Sequence, residues 1–234
     1  MPTPSPYAAR SKAAALTNSK KAAMIHFSIL GIPVRIEPWF WITMAFIGGG
    51  LHASNSMDII LVLVFVFAGF ISIMVHELGH ALAIRKYGLP TSITLQAFGG
   101  FASFPAGRLD RKQSFVVTAA GPLVQLALAV LLIVLMRNIS IPEGSLFLPF
   151  IRNLIWVSIV WAVLNCLPVY PMDGGQMLAA ILGPKKQRYV HLISVIVAVA
   201  IGIAGYFLLG TILLSIFMAL FAWQNWQAFQ AASR

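Results

Sequence analysis

Apolar residues run through the chain in long blocks separated by short polar patches. Six blocks stand out: Trp39–Leu51, Ile59–Ile84, Phe115–Met136, Leu154–Leu167, Val190–Leu209 and Thr211–Ala228. A helix needs about 20 apolar residues to cross the hydrocarbon core of a bilayer. The first block is short for this, so it is expected to begin further back, near Val34, or to lie tilted. The last two are parted only by Gly210 and its neighbours, which suits a tight helical hairpin or one broken helix. Thr91–Phe104 reads differently. TSITLQAFGGFASF is polar at its start, broken at Gly99–Gly100, and alternates Ile93, Leu95 and Ala97 with the period of a short strand or hairpin. The pattern predicts an all-α polytopic membrane protein of about six transmembrane helices, with one short strand-like hairpin.

Composition agrees. Of 234 residues, 59% are hydrophobic and 9% charged, with a mean hydropathy of +0.88. Soluble domains are about half apolar and about a quarter charged. The net charge is +10, with only six acids. In a soluble chain that excess would suggest nucleic acid. Here the cations sit between apolar blocks, so they are read as orienting the chain and attracting anionic lipid, with no nucleic acid partner. Arg10, Lys12, Lys20, Lys21 and Arg35 precede the first block, whereas Gly48–Asp58 has no Lys or Arg. Arg85, Lys86, Arg108, Arg111 and Lys112 follow the second block, and Lys185, Lys186 and Arg188 the fourth. Arg137 and Arg152, after the third, mix the pattern weakly. The alternation predicts both termini in the cytosol; the membrane expected is a bacterial plasma (inner) membrane. A single cysteine, Cys166, excludes an intrachain disulfide framework and Cys-rich structural zinc.

The organisation expected is a disordered basic tail (1–24), a membrane core (25–184) and a C-terminal helical hairpin in the membrane (185–234). An organelle transit peptide, or a true start at Met24, are alternative readings of the tail.

The second block ends in ISIMVHELGHALAIRKYG, where ionisable residues interrupt an apolar helix. His76 and His80 are four apart and so lie on one helical face, able to aim two imidazoles at one ion. Glu77 is offset by about 100°, within reach of a water at that ion, and suits a general base. A catalytic zinc takes three protein ligands and keeps a position for water. The chain holds five His and three Glu, yet two of the former and one of the latter fall within these five residues. Ionisable groups inside a membrane mark function by default.

A third ligand must come from elsewhere. Six residues after His80 stands Lys86, which excludes a third histidine at that spacing. After Glu77 the acids are Asp110, Glu143 and Asp173. Asp110, beside Arg108 and Arg111, reads as a solvated loop charge, and Glu143 falls in the opposite loop. Asp173, in LNCLPVYPMDGGQ, is on the matching side. Pro168 and Pro171 end a helix there, and Gly174–Gly175 are expected to make sharp turns. Two neutral imidazoles, a carboxylate, Zn²⁺ and hydroxide sum to zero charge, which a low-dielectric site tolerates.

HELGH on the second span, followed by Asn165-x-x-Pro-x-x-Pro-x-Asp173-Gly-Gly on a later one, resembles the site-2 protease family of intramembrane zinc metalloproteases over roughly Ile25–Ile181. The resemblance implies one Zn²⁺ per chain held by His76, His80 and Asp173, with Glu77 as catalytic acid/base. It implies that Asn165 helps hold the substrate or its oxyanion, and physically an amide donor there suits a developing negative charge. Phe98, Gly99, Gly100 and Phe101 resemble the family's strand-like element at the mouth of the site, which would bind substrate as an added strand. The implied partners are single-span or membrane-anchored, regulatory protein substrates, the lipid bilayer and a regulatory membrane partner. Two rival readings are a non-catalytic binder of membrane segments with the same fold, and a divalent-cation transporter. The first predicts loss of Glu77 or a ligand. The second predicts polar residues spread over several spans rather than gathered at one end of two.

Overall fold

A computed structural model of the chain describes residues 24–137, 139, 142, 144–208 and 210–232. The expected tail, apart from Met24, and Glu143 lie outside the described residues.

The fold is mainly helical, with one small sheet. β1 (Ile25–Ile29) and β2 (Ile32–Ile36) form a hairpin whose turn residues, Leu30 and Gly31, both have positive φ (53° and 73°). Such two-residue turns match the twist of the flanking strands. Val34, from which the first helix was expected to start, therefore lies in a strand. The helix α1 spans Pro38–Ile47, and proline, with its preset φ, occupies the first turn. The cause is visible in the sequence: Ile25, Phe27 and Ile29, then Ile32, Val34 and Ile36, alternate with period two. At ten residues α1 is about 15 Å long, half a bilayer core.

Five helices are long and apolar enough to cross a membrane. They are α2 (Ser56–Lys86), α3 (Arg111–Met136), α4 (Phe147–Asn165), α6 (Gln187–Phe207, with the short 3₁₀ turn before it) and α7 (Ile212–Ala231). The polytopic helical fold is the one expected, with α1 as a shorter sixth member. The sequence reading did not anticipate α5 (Asp173–Leu182) as a helix of its own.

Local chemistry sets the ends. The Asn55 side chain accepts from the Asp58 N–H at 3.0 Å, and the Asp58 carboxylate accepts from Asn55 and Ser54 in return. Arg85 and Lys86 occupy the last turn of α2, where cations complement the helix dipole. Asp110, expected as a free loop charge, is exposed but also caps α3, exchanging bonds with Gln113 in a capping box. α6 and α7 pack side by side, where the Ser215 hydroxyl donates to the Gly202 carbonyl at 2.8 Å.

β3 (Ser92–Gln96) pairs parallel with β2, Val34 opposite Ile93 and Ile36 opposite Leu95. β4 (Gly99–Ser103) returns antiparallel beside β3, so the sheet order is β1-β2-β3-β4, with β4 an edge. One face of β2 and β3 (Ile32, Val34, Ile36, Ile93, Leu95) packs with Phe40, Met44, Ile73 and Met74 into the core between α1 and α2. The sheet thereby holds the C-terminal end of α2, and so the HELGH stretch, against β4.

Candidate functional site

α2 and α3 run antiparallel, and their facing residues repeat every four positions. Ser72, His76 and His80 on α2 meet Gln125, Gly121 and Val117 on α3. At the crossing both helices are reduced to backbone. A Cβ on Gly79 would stand 2.7 Å from the Ala120 carbonyl oxygen, and one on Gly121 would overlap the His80 ring. Small residues let membrane helices approach this closely.

The approach fixes both imidazoles. His80 Nδ1–H donates to the Val117 carbonyl at 2.8 Å. Gln125 donates both amide protons to Ser72, to its carbonyl (3.2 Å) and its hydroxyl (2.8 Å). Its Oε1 is therefore the acceptor for His76 Nδ1–H, at 2.9 Å. Ser72 continues the network to Ser158 on α4, 2.8 Å away. With both Nδ1 atoms protonated, both Nε2 atoms carry lone pairs, and they stand 3.1 Å apart.

Asp173 completes the group. Gly174 and Gly175 are not turn residues but the first turn of α5, and they are small because the 166–172 loop folds back onto them. A Cβ on Gly174 would overlap the Cys166 and Leu167 carbonyls, and one on Gly175 the backbone of Val169 and Tyr170. Arg111, from the first turn of α3, donates to the Ala180 and Ile181 carbonyls at the other end of α5. Held at both ends, α5 sets Asp173 Oδ2 3.1 Å from His76 Nε2 and 3.3 Å from His80 Nε2. All three residues are buried, and their three ligand atoms lie within 4.8 Å of one another.

This arrangement tests whether a metal fits. Two imidazole lone pairs and a carboxylate oxygen converge. Asp173 Oδ2 has no hydrogen-bond donor among the described residues. Such a convergence is repulsive unless a cation sits within it. Two nitrogens and one oxygen at one point are a donor set for zinc, so the residues fit.

Glu77 faces the same space. It is 3% exposed, and its Oε2 has no partner among the described residues. A buried carboxylate oxygen is costly to leave unpaired. β4 lies directly over it: a Cβ on Gly100 would be 2.8 Å from Glu77 Oε1. A cavity of about 420 Å³ joins these groups, lined by His76, Glu77, His80 and Asp173, by Asn165, and by Phe98, Gly99, Gly100 and Phe101. Asn165 donates one amide proton back to the Trp161 carbonyl at 3.0 Å. Phe98, at the β3–β4 turn, packs edge-on against Phe217 of α7, with ring centroids 4.3 Å apart.

Gln125 and Ser158 were assigned no part in the site from the sequence alone. The available signal was a glutamine in the apolar run AAGPLVQLALAV, four residues from Gly121 and so on the same face.

Residues 64–147 and 138–209 match the model of Peptidase family M50. A zinc metalloprotease of Methanocaldococcus jannaschii is 29% identical over 177 residues, covering 75% of this chain and 49% of that one. A Synechocystis relative is 34% identical over 66% of this chain and 43% of its own length. The chain thus spans about half the length of these two relatives. Rip2 of Mycolicibacterium smegmatis is 30% identical, over 66% of this chain and 74% of that one. Among solved structures, the site-2 protease from Methanocaldococcus jannaschii superposes with a TM-score of 0.62 at 25% identity, covering 88% of this chain and 95% of that chain.

Proposed function

The chain belongs to peptidase family M50, and from that premise we propose that it is a zinc-dependent endopeptidase cutting membrane-anchored, regulatory proteins within or beside the bilayer. It is an integral membrane protein. The observation that carries the reading is the convergence of His76 Nε2, His80 Nε2 and Asp173 Oδ2, with the unpartnered Glu77 carboxylate on the same cavity.

In this reading His76, His80 and Asp173 hold the zinc, which when bound supplies a Lewis acid that polarises a carbonyl and makes water more acidic. Gln125 and the Val117 carbonyl keep the two rings in the tautomer that offers Nε2. Glu77 Oε2 takes a proton from water and later delivers it to the leaving amide nitrogen. The Asn165 amide proton that Trp161 does not engage is a donor for the oxyanion developing on the substrate carbonyl. Phe98, Gly99, Gly100 and Phe101 lie on and beside the free edge of β4, which suits pairing with an extended stretch of substrate. A helical substrate hides its carbonyls in its own hydrogen bonds, so it must unwind before it can pair.

The positive ends support an orientation. β2 pairs with β3, which follows α2, so the first described strands and the end of α2 share one side with Arg85, Lys86, Arg108, Arg111 and Lys112. The chain then crosses four more times and α7 ends on that side too. Both termini and the active-site cavity are accordingly assigned to the cytosolic side of a bacterial inner membrane.

The test is metal analysis of purified protein with cleavage of a single-span reporter in liposomes. Wild type is expected to carry one zinc and Asp173→Ala little or none. Glu77→Gln is expected to keep zinc and lose about 10²–10⁴-fold in rate, the range of a general acid–base. Wild-type protein without zinc, or Glu77→Gln cleaving at the wild-type rate, overturns the proposal.

A further inference from the structure

A second buried polar cluster joins α6, α7 and the loop that precedes Asp173. Ser194 of α6 is fully buried and Asn225 of α7 is 2% exposed, although both helices are apolar enough to cross a membrane. Hydrocarbon also packs α6 and α7 on this loop: Ala198, Met218 and Ala222 pack with Val169. Burying polar residues in such helices is costly unless each is satisfied.

One residue of the loop bonds both of them. The Tyr170 N–H donates to the Ser194 hydroxyl at 3.0 Å, and that hydroxyl donates to the Val190 carbonyl at 2.8 Å. The Tyr170 carbonyl accepts from Asn225 Nδ2. The same amide donates to the Phe221 carbonyl at 2.8 Å. With both its N–H groups aimed at carbonyls, Asn225 must accept through Oδ1, and it does so from His191 Nδ1–H at 2.9 Å. The His191 ring stands edge-on to the Tyr170 ring, centroids 5.6 Å apart. Both backbone polar groups of Tyr170 thus end on the last two helices. Asp173 follows three residues later, through Pro171, whose ring restricts φ. The intervening backbone is also tied: Met172 N–H to the Val169 carbonyl at 2.8 Å, and Gln176 Nε2 to the Pro171 carbonyl at 2.9 Å. Little freedom remains between the Tyr170 clamp and the Asp173 carboxylate.

We infer that Asn225, with Ser194 and His191, is a positioning residue: by clamping the Tyr170 peptide it sets where the Asp173 carboxylate stands against His76 and His80. The inference rests on the reading of those three residues as a metal centre. It makes the last two helices part of the support of that centre, although neither supplies a ligand.

The experiment uses the full chain in detergent, with Co²⁺ and Zn²⁺ as probes. Affinity is read by competition with a chromophoric chelator, and ligand geometry by the visible bands of the Co²⁺ form. Asn225→Asp keeps the shape and the acceptor for His191 but removes both donors. It is expected to bind metal about tenfold more weakly, the lower end of the range for groups that orient ligands, with displaced Co²⁺ bands and a fall in kcat at near-constant KM. Ser194→Ala, which removes the other half of the clamp, is expected to shift affinity and bands in the same direction by less. Leu214→Ala, near the closed end of the hairpin beside Gly205, is expected to lower the melting temperature with metal affinity and spectrum unchanged. Wild-type affinity and bands in Asn225→Asp overturn the inference, and so do equal losses in Leu214→Ala. Should Asn225→Asp fail to fold, unchanged metal binding in Ser194→Ala overturns it instead. Wild-type protein that takes up no stoichiometric metal overturns the underlying metal-centre reading, a result distinct from all of these.

Discussion

Replacing Gln125 by leucine keeps most of the volume but removes one acceptor and two donors. Gln125 is 0% exposed, so water cannot take over its bonds. The His76 Nδ1–H, now 2.9 Å from Gln125 Oε1, would face a methyl group. A buried donor left unpaired costs about 1–3 kcal/mol. The imidazole can lower that cost by turning toward another acceptor, but turning carries Nε2 away from Asp173 Oδ2, which stands 3.1 Å from it. Either way the cost falls on the arrangement that holds the metal. At about 1.4 kcal/mol per tenfold, the range corresponds to roughly 5- to 150-fold weaker zinc binding. The usual loss on removing the partner of a metal-ligating histidine, about 10–100-fold, falls inside it. The assay is competition of the purified protein with a chelator of known affinity, alongside a thermal melt. Gln125→Glu, which keeps an acceptor toward His76, is expected to lose less than Gln125→Leu. A folded Gln125→Leu protein that binds zinc as tightly as wild type would refute the claim that Gln125 sets the His76 ring.

Gly121→Ala puts a methyl group into the His80 ring; overpacking of this kind costs about 1–3 kcal/mol, so zinc content should fall below one per chain, and full occupancy would show that the α2–α3 crossing can relax. Stripping the metal should lower stability, by about 2.7 kcal/mol relative to zinc at a hundred times its Kd; an unchanged melting temperature after chelator dialysis would count against a resident ion. Cys166 is the chain's one thiol and is exposed at the end of α4 beside Asn165, so a membrane-impermeant maleimide should label wild-type protein in vesicles only from the cytosolic face. Labelling from the other face alone would invert the assigned orientation.

The long apolar blocks were legible because a bilayer demands helices of a certain length, and that demand is written in composition alone. HELGH was legible for a similar reason: a four-residue repeat on a helix needs no tertiary information to place two side chains on one face. β1 and β2 were hidden by context. Three alternating apolar residues on either side of Leu30–Gly31 carry the period of a hairpin, but next to Trp39 and Phe40 they read as the lead-in to a helix. Gly174 and Gly175 were noticed for the wrong physical reason. Backbone freedom and backbone proximity both call for glycine, and only the folded loop tells them apart. Gln125, Ser194 and Asn225 were invisible as a class, since a lone polar residue in a span looks alike whether it bonds a neighbouring helix or orients a ligand.

The parallel pairing of β2 with β3 has a consequence for biosynthesis. β2 leaves the ribosome before its partner, which emerges only after α1 and the whole of α2 have been made and inserted. Until then one side of the β1–β2 ribbon has no backbone partner, and only when Ser92–Gln96 emerges can it close. α7, translated later still, supplies Asn225 to the Tyr170 carbonyl. Maturation of the centre is thus expected to lag behind insertion of its ligands, so a nascent chain that already displays HELGH in the bilayer would remain incompetent until α7 has been threaded.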